Sequence, residues 1–300
     1  MKQSLWALAA AGWRLYMGSR GAFLLPVLLL EVPLLLVNVG VLAWLDPGPT
    51  AITASWIVGF TVFTLADSIL TLTEAVFAFL LLALIAVQVR ALRAGQPLAL
   101  GAAFRQVLPR LWALLGGSFL LVVSVGLLTA VGVFFSVVFS LVLAVLGSEG
   151  KSLAEALRDS LVNPTQNLWL QLLLLALIAT LSIFLVVKWS LMVQVVVLED
   201  SPPVHALQRS WQLIRGAFWR TLGTLLISSL PISLLSNGTL VAQFLGVLPE
   251  GGNRVAVLAV VRGIALFLRL LVLPWVLILL TLYYYDLRVR RESAAPRAAG

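Results

Sequence analysis

Cysteine is absent from the 300 residues, which excludes disulfides and thiolate metal sites. Histidine is almost absent. His205 stands alone, so histidine-rich metal sites and two-histidine phosphodiester chemistry are excluded. It reads as a solvated member of a helix's polar face. No phosphate-binding loop and no nucleophile elbow occurs. Charge is also scarce: 11% of the residues are Asp, Glu, Lys or Arg, against about 25% in a soluble domain. No apolar-poor stretch is long enough for a separate soluble domain, which argues against nucleic acid as a partner.

What fills the chain is apolar sequence, 61% of it, with a mean hydropathy of +1.08. The apolar runs are continuous and lack the alternation of barrel strands, so the expected fold is all-α, a polytopic membrane helix bundle. The formal net charge is +8. Lys and Arg gather on the cytoplasmic side of a membrane protein, and the same residues attract anionic lipid.

Six spans are expected. Residues 1–21 read as an N-terminal interfacial helix, 22–287 as a single transmembrane helical domain, and 288–300 as a basic cytoplasmic tail. The first span is Ala22–Leu45, with Pro26 and Pro33 inside it. Asp46–Pro49 is a tight loop. An entry segment to Asp67 precedes the second span, Leu70–Val89. Arg90, Arg93, Arg105 and Arg110 make the next loop basic, hence cytoplasmic. Gly101–Arg110 looks like a weak amphipathic helix.

Leu111–Gly147 and Leu168–Leu198 are longer than a span needs. A helix rises about 1.5 Å per residue, against a hydrocarbon core of about 30 Å. Each is one tilted, projecting or broken helix, or a hairpin of two short spans. Ser148–Asn167 sets three carboxylates (Glu149, Glu155, Asp159) against Lys151 and Arg158, which favours an outer location and six spans. Ala156–Ser160 echoes Ala206–Ser210, and an internal repeat would make the count eight. Trp219–Leu245, with Pro231, and Val255–Tyr285, with Pro274, complete the set. Tyr283–Tyr285 reads as an aromatic belt.

Between the fourth and fifth spans stands Glu199-Asp200-Ser201-Pro202-Pro203, a polar stop. Val204–Arg220 follows as an amphipathic surface helix, with Ser201 as its cap and Pro202 in its first turn. Val204, Leu207, Trp211, Ile214 and Phe218 recur at helical steps and form its apolar stripe. Glu199 and Asp200 complement the helix dipole.

Charges inside the spans are candidates for a polar site: Glu31, Asp67 and Glu74 against Lys188, Arg262 and Arg269. Such residues are costly in lipid and face the bundle interior, either as structural pairs or as an ion or headgroup path. Gly132, Ser136, Ser140 and Ala144 recur every four residues, as do Ser229, Ser233 and Asn237. These small-residue faces let helix backbones approach closely.

One block resembles a known family. It comprises Val196–Glu199, Ala206–Leu213 with Arg209, Ser210 and Trp211, and Gly216–Arg220 with Trp219. With the ending Tyr284-Tyr285-Asp286-Leu287-Arg288-Val289-Arg290, it is similar to the glycerophosphoryl diester phosphodiesterase membrane-domain family. The resemblance covers Lys188–Glu292; the first half joins it only through hydropathy and the Arg90–Arg110 loop. The family's phosphodiesterase is a separate soluble barrel, which this chain lacks. What the resemblance implies is a multi-spanning protein without its own phosphodiesterase chemistry. Glu199, Arg209, Ser210, Trp211, Gly216, Trp219, Arg220, Tyr284, Tyr285, Asp286 and Arg288 are its motif residues.

The expectation is a non-enzymatic membrane scaffold or accessory protein in envelope or lipid processes. It lies in a bacterial plasma membrane with both termini cytoplasmic, and needs no cofactor. Its expected partners are anionic lipid headgroups and a second copy or another membrane protein. A transporter using the intramembrane charges and a membrane-embedded lipid enzyme are the alternatives.

Overall fold

The computed structural model describes the backbone of residues 4–45, 56–146, 168–236 and 254–294. Every regular element among them is helical. In chain order they are α1 (Leu5–Gly18), α2 (Arg20–Leu45), α3 (Trp56–Arg93), α4 (Leu100–Val107) and a 3-10 turn at Leu108–Arg110. Then follow α5 (Leu111–Leu146), α6 (Leu168–Trp189), α7 (Met192–Glu199), α8 (Pro203–Ile214), α9 (Phe218–Ser236) and α10 (Arg254–Ala294). Among the described residues, four stretches are long and apolar enough to cross a membrane: Val76–Arg93, Leu100–Gly132, Leu172–Glu199 and Phe267–Ser293. A fifth is added if α1 and α2, bent by 88° at Ser19, make one broken span. The α1 amino end is capped by Ser4, whose hydroxyl accepts from the Ala7 N–H at 3.2 Å.

The chain falls into two compact units, residues 1–118 with 191–300, and residues 119–190. In the first, α10 is the hub, packing on α1, α2, α3, α8 and α9. Trp275 on α10 donates to the Ala9 carbonyl at 3.1 Å and meets Trp13 edge-on, which ties α1 to it. Leu81–Val89 of α3 and Met192–Val197 of α7 are buried on every side. Neither stretch has a polar face to turn outward, so only a central position suits it. The second unit is the remainder of α5 with α6. Its helices meet at Gly132, where an added Cβ would collide with the Ile178 side chain.

Several boundaries differ from the sequence reading. The expected break near Asp67 is absent, since α3 runs unbroken through it. The long apolar run after Arg110 is one continuous helix, α5, whereas Leu168–Leu198 is broken at Ser190-Leu191. The break is built by Ser190, whose N–H and hydroxyl both bond the Val187 carbonyl. α10 does not stop at the tyrosines but continues to Ala294, extending over much of the expected tail. Tyr283 and Tyr284 are therefore core residues, with no exposed surface, rather than an aromatic belt.

The surface helix is also shorter than expected. α8 begins at Pro203 with Pro202 as its cap residue, and Ser201 makes no cap. It ends at Ile214 because Gly216 takes a positive φ of 82°, a conformation that costs glycine little. Its buried face is Ala206, Leu207, Ser210, Leu213 and Ile214. Val204 is 59% and Trp211 38% exposed, so these two of the five stripe residues turn outward. The small-residue face of α9 is shifted by one position as well. Thr221, Thr224 and Ser228 are buried, and Ser229 is exposed. Asp46–Pro49, Ser148–Asn167 and Asn237 lie outside the described residues, as do the side chains of Ser136, Ser140 and Ala144.

Candidate functional site

α7 stops at Glu199 because Asp200 adopts left-handed backbone, φ 56°, which Asp tolerates better than most residues. Pro202 and Pro203 then turn the chain into α8. This places the Glu199 carboxylate between α8 and α10. Tyr284 donates its hydroxyl to Glu199 Oε1 at 2.6 Å, and Arg209 Nε donates to Oε2 at 3.2 Å. Both oxygens are thus held by charge-assisted bonds, with only 16% of the Glu199 side chain exposed. About two turns into α8, Ser210 accepts from the Leu191 N–H at 3.3 Å, taking up a donor at the amino end of α7.

A second cluster joins α9 to α10. Asp286 receives Arg220 at 3.0 Å and Arg290 at 2.7 Å. The Arg220 guanidinium also lies 5.7 Å from the Tyr283 ring centre, and Tyr283 shares a 2.9 Å hydrogen bond with Thr221. Arg93 of α3 stacks on Tyr285 at 4.3 Å, and Arg288 pairs with Glu292 at 2.8 Å. Gly216 forms the turn between α8 and α9, and Trp219 stands out, 79% exposed.

Six residues of the sequence block therefore make a latch across α7, α8, α9 and α10: Glu199, Arg209, Ser210, Arg220, Tyr284 and Asp286; Tyr285 instead meets α3, and Arg288 pairs along α10. Most bond side chain to side chain, several within the set itself. Trp211 and Trp219 face outward instead. The latch leaves its main carboxylates, Glu199 and Asp286, already satisfied.

The charges expected inside the spans are only partly brought together. Glu31, 7% exposed, accepts from Arg269 at 3.2 Å. Glu74 adds a second negative charge near Glu31. Lys188, in the other unit, is buried with its ammonium 5.6 Å from the Phe184 ring centre. The side chains of Asp67 and Arg262 lie outside the described residues. Arg269 Nε and the side-chain amides of Gln88 and Gln194 are buried without a hydrogen-bond partner among the described residues.

Two basic hollows were not read from the sequence. Arg90, Arg105 and Arg110, with Gln106 and Asp200, line a cavity of about 450 Å³. Arg90 bonds Gln106 at 3.1 Å and Arg110 bonds Asp200 at 2.7 Å. That bond and the Arg110 charge hold the Asp200 carboxyl below the usual range. The second hollow, of about 310 Å³, is lined by Arg215, Arg220, Arg290 and Arg291 above Leu213 and Leu287. The signal for it was visible in principle. Arg290-Arg291 closes the same block that contains Arg215 and Arg220, but only folding shows that the two ends meet. His205 is exposed in the first turn of α8.

Comparison with known proteins found no family model, no curated protein and no solved structure that matches this chain.

Proposed function

We propose that this chain is a polytopic helical membrane protein that acts without chemistry of its own, as a scaffold or accessory subunit in lipid or envelope processes. One observation carries the reading: three carboxylates among the described residues that could have served a reaction are each engaged by neighbouring side chains. Glu199 is taken by Tyr284 and Arg209, Asp286 by Arg220 and Arg290, and Glu31 by Arg269. A transport path needs intramembrane charges that face a wet cavity, and the Glu31–Arg269 pair favours structural neutralisation instead. The resemblance read from the residues of Lys188–Glu292 to the glycerophosphoryl diester phosphodiesterase membrane-domain family, which no family model matches, agrees with the same reading. Membership of that family is part of the proposal.

Six spans, with both termini on the cytoplasmic side of a bacterial plasma membrane, fit the charge distribution best. α9 with residues beyond it supplies the fifth, and Ser148–Asn167 lies outside. Anionic lipid at the arginine-rich face is the proposed partner, alongside a second copy or another membrane protein. The test has two arms. Cysteines at Ser152 and Ser293 are labelled in intact cells, where labelling at Ser152 alone supports six spans and protection at both replaces six with eight. Purified protein is then incubated with glycerophosphodiesters and divalent metals. Turnover abolished by His205→Ala overturns the non-enzymatic reading.

A further inference from the structure

The hollow between the end of α8 and the last turns of α10 holds more positive charge than the fold uses. Four guanidiniums, of Arg215, Arg220, Arg290 and Arg291, line it. Asp286 is bonded to Arg220 and Arg290 and is the one carboxylate they share. Arg291 donates to the Arg215 backbone carbonyl, which caps the end of α8. Neither Arg215 nor Arg291 has a carboxylate within ion-pair distance among the described residues, and both are exposed. Four arginines thus surround about 310 Å³, with Asp286 as the carboxylate seen paired to two of them.

Such an arrangement is costly when empty, since like charges at close range repel. Arg291 caps one carbonyl, Arg220 holds α9 to α10 through Asp286, and Arg290 pairs with the same carboxylate along α10. Arg215 is left without a structural task. The backbone of Gly216 and Ala217 completes the wall at the amino end of α9, where the helix dipole adds partial positive charge. The floor, Leu213 and Leu287, is buried and apolar, so the guanidiniums have little water behind them. Planar guanidiniums converging on one space suit the tetrahedral oxygens of phosphate, which they bind two at a time. The other hollow is weaker on each count. Two of its three arginines are engaged by Gln106 and Asp200.

We infer that this hollow is a binding site for a phosphate group, and for a phosphomonoester in preference to a phosphodiester. Arg215 and Arg291, which have no paired carboxylate among the described residues, bring two positive charges that match a dianion better than a monoanion. The shared chemistry fits a phosphatidic acid headgroup and a soluble phosphomonoester alike. Trp219, beside Arg220 and 79% exposed, is the residue type that seeks the membrane–water boundary, which favours the lipid source. The inference rests on the membrane reading for that source only.

The full chain is placed in nanodiscs of phosphatidylcholine, then with phosphatidic acid or phosphatidylglycerol added at equal surface charge. Retained lipid is counted by mass spectrometry. In a parallel arm, neutral nanodiscs are titrated with glycerol 3-phosphate. The variant is Arg215→Gln with Arg291→Gln, both exposed and outside the Asp286 cluster; Arg105→Gln is the control. Saturable binding is expected, weakened by about tenfold or more in the double variant through lost charge-assisted bonds, and unchanged in the control. Retention of phosphatidic acid alone assigns the lipid source, and glycerol 3-phosphate alone the soluble one. Phosphatidylglycerol retained as well as phosphatidic acid overturns the monoester preference. No binding in either arm, or equal binding by the double variant with an unchanged melting temperature, overturns the site. Failure of the folded chain to enter nanodiscs would instead count against the membrane reading, leaving the soluble arm to test the hollow in detergent.

Discussion

In the apolar windows of Val76–Arg93 and Phe267–Ser293, 50% of residues are buried, against 17% for Leu100–Gly132 and 11% for Leu172–Glu199. The first two belong wholly to the unit of residues 1–118 with 191–300; the other two each lie partly in the unit 119–190. The contrast extends to how helices are held. In the first unit, directional bonds join them: Tyr284 to Glu199, Arg220 to Asp286, Trp275 to the Ala9 carbonyl. In the second, α5 meets α6 through shape, at Gly132 against Ile178. Phe119, Leu127, Phe134 and Leu173, each more than 60% exposed, turn outward. In the proposed membrane this difference matters, because lipid tails are as apolar as leucine and do not drive such helices together. The first unit is locked by pairs, and the second is held by fit.

The comparison is broken most sharply at Glu199. Glu199→Ala leaves the Tyr284 hydroxyl and the Arg209 guanidinium without their acceptor and should destabilise the first unit by about 3 kcal/mol. Thermal unfolding in detergent reads this as a lower midpoint. Glu199→Gln keeps an acceptor for Tyr284 and should lose less. Equal midpoints for Glu199→Ala and the native chain would show that the latch does not hold this unit.

Next in size is Gly132→Leu, which forces α5 from α6 at an overpacking cost of about 1–3 kcal/mol. Spin labels at Phe134 and Leu173 should move apart, while labels at Trp6 and Val289 in the other unit keep their distance. An unchanged first distance would refute fit at Gly132 as the holding contact.

A smaller effect of opposite sign sharpens the account of the first unit. Gln194 is fully buried with both amide atoms unpartnered among the described residues. Replacing an unsatisfied buried amide with an apolar group of similar size relieves its desolvation, so Gln194→Leu should stabilise by about 1 kcal/mol. A lowered midpoint would mean that the amide is bonded after all.

The smallest effect is at Asp200, exposed and paired with Arg110. Its folded carboxyl is held below its ordinary range. The contribution is therefore present above the unfolded value of about 3.9 and is lost as pH falls through the folded one. Asp200→Asn should melt slightly below the native chain at neutral pH, with the gap closing in acid and at high salt. A gap that widened in acid would reverse the assignment.

The local punctuation was legible. Glu199–Pro203 reads as a stop and is one, since two prolines and a left-handed Asp end α7. A helix after Arg110 was among the alternatives, and the unbroken α5 selects it. What misled were the patterns with two solutions. The stripe through Val204 and Trp211 and the buried face through Ala206, Ser210 and Leu213 lie about one residue apart on the same helix. Tryptophan looks apolar by composition, yet Ser210 is the residue inside, where it accepts from the Leu191 N–H. Tyr283 and Tyr284 resembled a belt because their basic neighbours suggested a helix end. The arginines instead continue α10 and find Asp286 and the Arg215 carbonyl.

By itself, then, the sequence determined that the chain is helical and carries several long apolar segments, but not their number: it suggests six spans, where four or five candidates stand among the described residues. Helical backbone bonds close within four residues, and length and hydropathy are properties of single segments. Tertiary structure alone decided that Glu199 meets Tyr284, 85 positions on, and that four arginines from two distant stretches surround one hollow. Such meetings depend on which faces pack and at what rotation. A change of one residue in a helix turns its face by about 100°, which a hydropathy pattern scarcely registers and a hydrogen bond cannot survive.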